Sequence, residues 1–255
     1  MLLRQPMQLT ENIQYVLWIL APIGQVIVTV AMFRHKLIRE VPWFFAYTVF
    51  HLLQFIVLIA TYHYSYDAYF YSYWAIEAID ALLVLVVIQE IYLHTFRPFE
   101  ALRGLSTVLF RWAVIVLLAI SLLVAASASG TEQDRFVASL LILDRSACFV
   151  QCALIFLLFM MKQAIGLPWR RLSHGIALGL GLISTSTSIT MTVRAYSHRQ
   201  IDGIISLILA CTYDLAIVAW IAMLLRPEPI PDRANLVPST TLRKWDSALL
   251  ELIRR

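Results

Sequence analysis

The side chains able to do chemistry stand inside stretches that are otherwise apolar. Glu77, Asp80 and Glu90 lie between Phe70 and Leu93, Asp144 and Arg145 between Val137 and Met161, and Asp214 between Gly203 and Leu225, while His51 sits in a fourth such stretch. Carboxylates are expensive in hydrocarbon and are kept mainly where they face a protein interior, a partner charge or a wet cavity. Tyr73, Glu77 and Asp80 fall at i, i+4 and i+7, on one face of a helix. Counted along their spans, Asp80, Asp214 and His51 share a middle depth, with Arg145 nearer the outside. Glu77, Asp80, Arg145, Asp214, His51 and Asp144 are therefore the expected polar network. Its chemistry is ligand or ion binding, or proton exchange, since an unperturbed histidine titrates at about 6.5. Hydrogen bonding that merely holds helices together is the alternative reading of each member.

The elements that must position these groups follow from composition. Of 255 residues, 60% are hydrophobic and 14% charged, with a mean hydropathy of +0.76; a soluble domain carries about 25% charged residues. The expected fold is all-α, a polytopic seven-transmembrane-helix bundle. Its spans are placed near 13–33, 41–62, 70–93, 109–128, 137–161, 173–195 and 203–225, each long enough to cross about 30 Å of hydrocarbon. Arg34, Lys36 and Arg39, then Arg97, Arg103 and Arg111, then Lys162, Arg170 and Arg171, and the basic residues after the last span fall on one side. The other side has only Arg4, Arg135, Arg194 and Arg199. The positive-inside rule places the amino terminus outside and the carboxyl terminus in the cytoplasm. Residues 227–255 read as a cytoplasmic linker and a short amphipathic tail, with Leu242, Trp245, Leu249 and Leu252 at helical spacing.

Several function classes lack their machinery. The net charge of +4 is accounted for by topology, and no zinc-finger spacing or basic recognition helix accompanies it, so no nucleic-acid partner is expected. Cys148, Cys152 and Cys211 all fall within spans and read as small apolar residues, while the histidines lie at different depths, so no metal site is expected. There is no Walker motif, HExxH motif or GxSxG elbow, and no cofactor motif. The last span contains no lysine of the kind that holds retinal in rhodopsins. No catalytic residue is assigned.

Around this network, the run YHYSYDAYFYSYW at Tyr62 to Trp74 suits an interfacial aromatic belt. Tyr69, Tyr73 and Trp74 in it are candidates for an outer aromatic entrance. Glu90, near the inner end of its span, is expected to pair with Arg111 as a structural ion pair. The Ser and Thr residues from Ser184 to Thr192 are expected to serve helix packing, with a polar conduit as the alternative.

The stretches YFYSYWAIEAI (Tyr69 to Ile79), LLFMMK (Leu157 to Lys162) and AIVAWIAMLLRPEP (Ala216 to Pro229) give the chain its family likeness. It resembles an uncharacterised bacterial seven-helix integral membrane protein family. The resemblance implies a multi-pass protein of the bacterial cytoplasmic (inner) membrane, and carries over no activity or site residue. The expected function is ligand sensing or interaction with a membrane-protein partner, with the lipid bilayer as the surrounding solvent and a small ligand at the polar network. Small-solute or proton-coupled transport is the alternative, and oligomeric state is left open.

Overall fold

The computed structural model describes residues 5–96, 132–165, 171–196 and 202–225, with isolated positions between 104 and 123; side chains are described within 14–96, 142–163, 171–193 and 203–225 and at those isolated positions. Among the described residues the protein is all-helical, with no strand. Six α-helices lie among the described residues: α1 (Gln5–Arg34), α2 (Pro42–Tyr64), α3 (Tyr66–Thr95), α4 (Glu132–Ile165), α5 (Arg171–Tyr196) and α6 (Asp202–Leu224). Five of them, all but α3, contain a segment long and apolar enough to cross a membrane, which makes this a multi-pass membrane protein. The 30-residue α3 has the length and carries Glu77, Asp80 and Glu90. The described residues from Gly104 to Leu123 are helical and mostly exposed. The remainder of the expected 109–128 span, the tail at 227–255, and a pairing of Asp144 with the Arg194 side chain lie outside the described residues.

Helix ends run past the expected spans because hydropathy detects only the apolar part of a helix, whereas backbone bonding continues into polar residues. α3 starts at Tyr66 rather than Phe70: Ser65 caps it, its Oγ accepting the Ala68 N–H at 3.1 Å. α1 reaches α2 through a short 3-10 turn, Leu37–Arg39, entered through Lys36 in the left-handed region at φ 55°.

Each helix packs on the next, and α6 closes the ring against α1; α3 also reaches α5. The buried faces are stripes at helical spacing, Gly24, Gln25, Val28, Ala31 and Met32 on α1, and Leu143, Ala147, Gln151, Leu154 and Leu158 on α4. Large apolar side chains such as Trp18, Ile56, Phe156 and Leu215 point outward, as they do when the surrounding solvent is lipid. Glycine brings α5 and α6 together, since a Cβ at Gly179 would collide with the Trp220 indole. Trp220 in turn meets Phe44 edge-on at 5.1 Å.

Contacts also give direction. Trp43 and Phe44 meet Glu90 while His51 meets Asp80, so α2 and α3 are antiparallel. Across α3 and α4 the partners ascend together, Asp80 near Asp144, Ala81 with Gln151 and Tyr92 with Leu154, so these two helices run parallel.

Candidate functional site

α2 brings His51, and α3 brings Asp80, to an Nε2 to Oδ1 separation of 3.2 Å. This is ion-pair distance without hydrogen-bond alignment, and neither atom has another partner among the described residues. His51 is held by rings: Tyr47, one turn before it, lies edge-on at 4.4 Å, and Tyr213 of α6 at 5.6 Å. Gln54, the next turn of α2, has its Oε1 buried without a donor.

One turn outward on α3, Glu77 accepts a hydrogen bond from the Tyr73 hydroxyl. Asp144 of α4 stands close enough to Asp80 and Glu77 for their charges to interact, and the Cys148 thiol lies 3.9 Å from its Oδ1. Three carboxylates thus converge from two helices, with one imidazole as their basic neighbour. An unpaired aspartate at mid-membrane costs about 2.5–3.5 kcal/mol to insert, so this arrangement calls for added positive charge. Above it the rings form a ladder: Tyr62, 72% exposed, meets Tyr69 at 5.8 Å, Tyr69 stacks on Tyr73 at 6.3 Å, and Trp74 meets Tyr73 at 5.4 Å. The ladder ends at Glu77.

Three expected partnerships are corrected. Arg145 does not join the carboxylates. Adjacent helix positions are about 100° apart, so with Asp144 turned inward Arg145 is exposed, and among the described residues it forms no ion pair. Asp214 does not share the central set. The residue beside it, Tyr213, faces His51 and accepts from Gln25 of α1, while Asp214, one position on, points about 100° away from it. Glu90 does not pair with Arg111, which is exposed. Its two oxygens instead accept the N–H groups of Trp43 and Phe44, each at 3.0 Å. α2 begins with Pro42, and Val41 before it offers no capping side chain, so the first-turn donors of α2 are free and a carboxylate from α3 caps them.

Residues without charge escaped the sequence reading. Gln151, buried on α4, donates to the Ala81 carbonyl at 3.1 Å and accepts from Ser184 at 2.9 Å, joining α3, α4 and α5. Tyr92 donates to the Leu154 carbonyl at 2.6 Å. Their signal was present as polar atoms within buried stripes. The hydroxyls of α5 are largely consumed in packing: Thr190 and Thr192 bond back to the carbonyls of Ser186 and Ser188, and Ser186 meets Thr212 at 3.2 Å.

A groove of about 710 Å³ lies elsewhere, between α4, α5 and α6, and is lined mainly by apolar side chains such as Phe156, Leu182 and Ile208 with Thr185 and Thr212; no member of the carboxylate cluster lines it. Among the described residues no set of three or more His, Cys, Asp or Glu side chains is arranged to hold a metal ion. No family model, curated protein or solved structure matches the chain.

Proposed function

We propose that this chain is a seven-span protein of the bacterial inner membrane that senses a small cation entering along the tyrosine ladder. The observation that carries the reading is the meeting of Glu77, Asp80 and Asp144 with His51 as their basic neighbour, at the end of an aromatic path. Aromatic faces attract cations, most strongly where water is scarce, and the carboxylates supply the charge that holds one. Binding there would draw α2, α3 and α4 together, and a membrane-protein partner would read the movement. The parallel course of α3 and α4 supports a return crossing between them, hence seven spans, and the basic residues support a cytoplasmic carboxyl terminus.

The test uses full-length protein in nanodiscs, with tryptophan emission followed as tetramethylammonium is added. A saturable change that is lost in Glu77→Gln and Asp80→Asn is expected, and Trp74→Phe should remove most of the signal. A response that persists in both carboxamide variants, or no response at all, sinks the reading. The titratable His51–Asp80 contact favours one second reading, proton-coupled transport. Net proton movement into liposomes under an imposed gradient, absent in Asp80→Asn, would select it.

A further inference from the structure

His51 is placed as a charge that can be switched. Three rings pack around its imidazole, Tyr47 at 4.4 Å, Tyr213 at 5.6 Å and Phe50 at 6.2 Å, and hold it against α3. Its Nε2 stands 3.2 Å from Asp80 Oδ1, and neither atom has a hydrogen-bond partner among the described residues. A neutral imidazole gives Asp80 no charge, whereas a protonated one sets a full positive charge beside it. No other basic side chain among the described residues stands within ion-pair distance of Glu77, Asp80 or Asp144.

The titratable groups facing this imidazole come from each helix packed around it. α3 supplies Asp80 and Glu77, both close enough for their charges to act on it. α2 supplies Tyr47 and α6 supplies Tyr213, phenols that titrate at about 10 when unperturbed. Asp144 of α4 acts on Asp80 and Glu77 rather than on His51 itself. α1 brings only the uncharged Gln25, which donates to the Tyr213 hydroxyl at 2.7 Å, and has no ionisable residue from Val16 to Phe33. Of all these groups, only His51 can put a positive charge at Asp80.

We propose that a cation and the His51 proton exchange at Asp80: protonated His51 is the resident counterion, and an arriving cation displaces its proton. The inference rests on the cation-sensing reading and adds the regulation of that site by acidity. An imidazolium already at Oδ1 and a cation on the same carboxylate are like charges at close quarters, which repel most strongly where water is scarce. In the exchange the cation settles on Asp80, the N–H bond of His51 breaks with its electron pair left on nitrogen, and the proton passes to water. One positive charge enters as one leaves. The cluster keeps its net charge, so the cost of changing charge inside the bundle is avoided. Neither partner has to cross the membrane, which separates this device from proton-coupled transport.

The experiment measures tetramethylammonium affinity by tryptophan emission, on full-length protein in nanodiscs, at about pH 8 and about pH 5.5, toward either end of the range in which imidazole changes charge. The parent should bind about fivefold or more weakly in acid. His51→Gln, which cannot carry the charge, should match the parent in alkaline buffer and bind severalfold more tightly than the parent in acid. A second measurement needs no variant. With isotope-labelled histidine followed by nitrogen NMR at about pH 6, one imidazolium signal should turn to neutral imidazole as the probe saturates the protein. An acid loss identical in the parent and His51→Gln assigns the titration to the carboxylates and overturns the exchange while leaving the sensing reading in place. A histidine spectrum that stays unchanged as the tryptophan signal saturates does the same. No tryptophan response at either pH sinks the sensing reading and the exchange with it.

Discussion

The two halves of α3 put the same kind of side chain to opposite uses. In the inner half, Glu90 spends both oxygens on the free donors of α2, Tyr92 spends its hydroxyl on α4, and Val84, Leu85, Val87, Ile88 and Ile91 are buried around them. In the outer half, Glu77 and Asp80 are only partly buried and face Asp144, and Asp80 Oδ1, with no hydrogen-bond donor among the described residues, stands beside an imidazole that is charged only when protonated. A carboxylate whose oxygens are matched by fixed donors is a structural joint. One that outnumbers its donors is left able to take up something else.

Substitutions on the two sides should separate these roles, and SDS-induced unfolding in mixed micelles measures each. The largest effect is expected from Gly179→Leu, which drives the Trp220 indole off Phe44 and disturbs the turn that Glu90 caps; overpacking of this kind costs about 3 kcal/mol or more, and little monodisperse protein should survive purification. Next is Glu90→Ala, which strands one buried and one part-buried N–H group and is expected to cost about 2–4 kcal/mol, with Glu90→Gln recovering part of the loss. Gln151→Leu, which abandons Ala81 and Ser184, should cost about 1–2 kcal/mol. The smallest effect belongs to the outer half. Glu77→Gln and Asp80→Asn should leave stability within about 1 kcal/mol of the parent while abolishing the response to cations. If Asp80→Asn unfolds the protein as readily as Glu90→Ala does, the two halves are not different in kind.

The sequence made the helices and their depths legible. Uninterrupted apolar length marks a helix, and counting residues along each span puts His51 level with Asp80, which stand 3.2 Å apart. It did not disclose direction around the helix axis. Tyr213 and Asp214 share a depth to within one residue, yet a rotation of about 100° sends Tyr213 to His51 and Asp214 away from the cluster. Charge also drew attention toward the wrong partners. Arg111 is the conspicuous cation for Glu90, but the donors that hold it are backbone N–H groups, which every sequence has and which only Pro42 and the uncapped Val41 hint are free. Gln151 carries no charge at all, and its importance rests on standing in the stripe of Ala147, Leu154 and Leu158.

The closing contact of α6 on α1 sets an order of events during synthesis. Of the described helices α1 is made before the others, with Gln25 on the face that α6 will cover, and α2 to α5 must be made before Tyr213 arrives to accept its amide hydrogen. Until then that amide sits without its native partner. The Gln25–Tyr213 bond joins residues 188 positions apart, so it forms only after α2 to α5 have been made and marks the closing of α6 on α1.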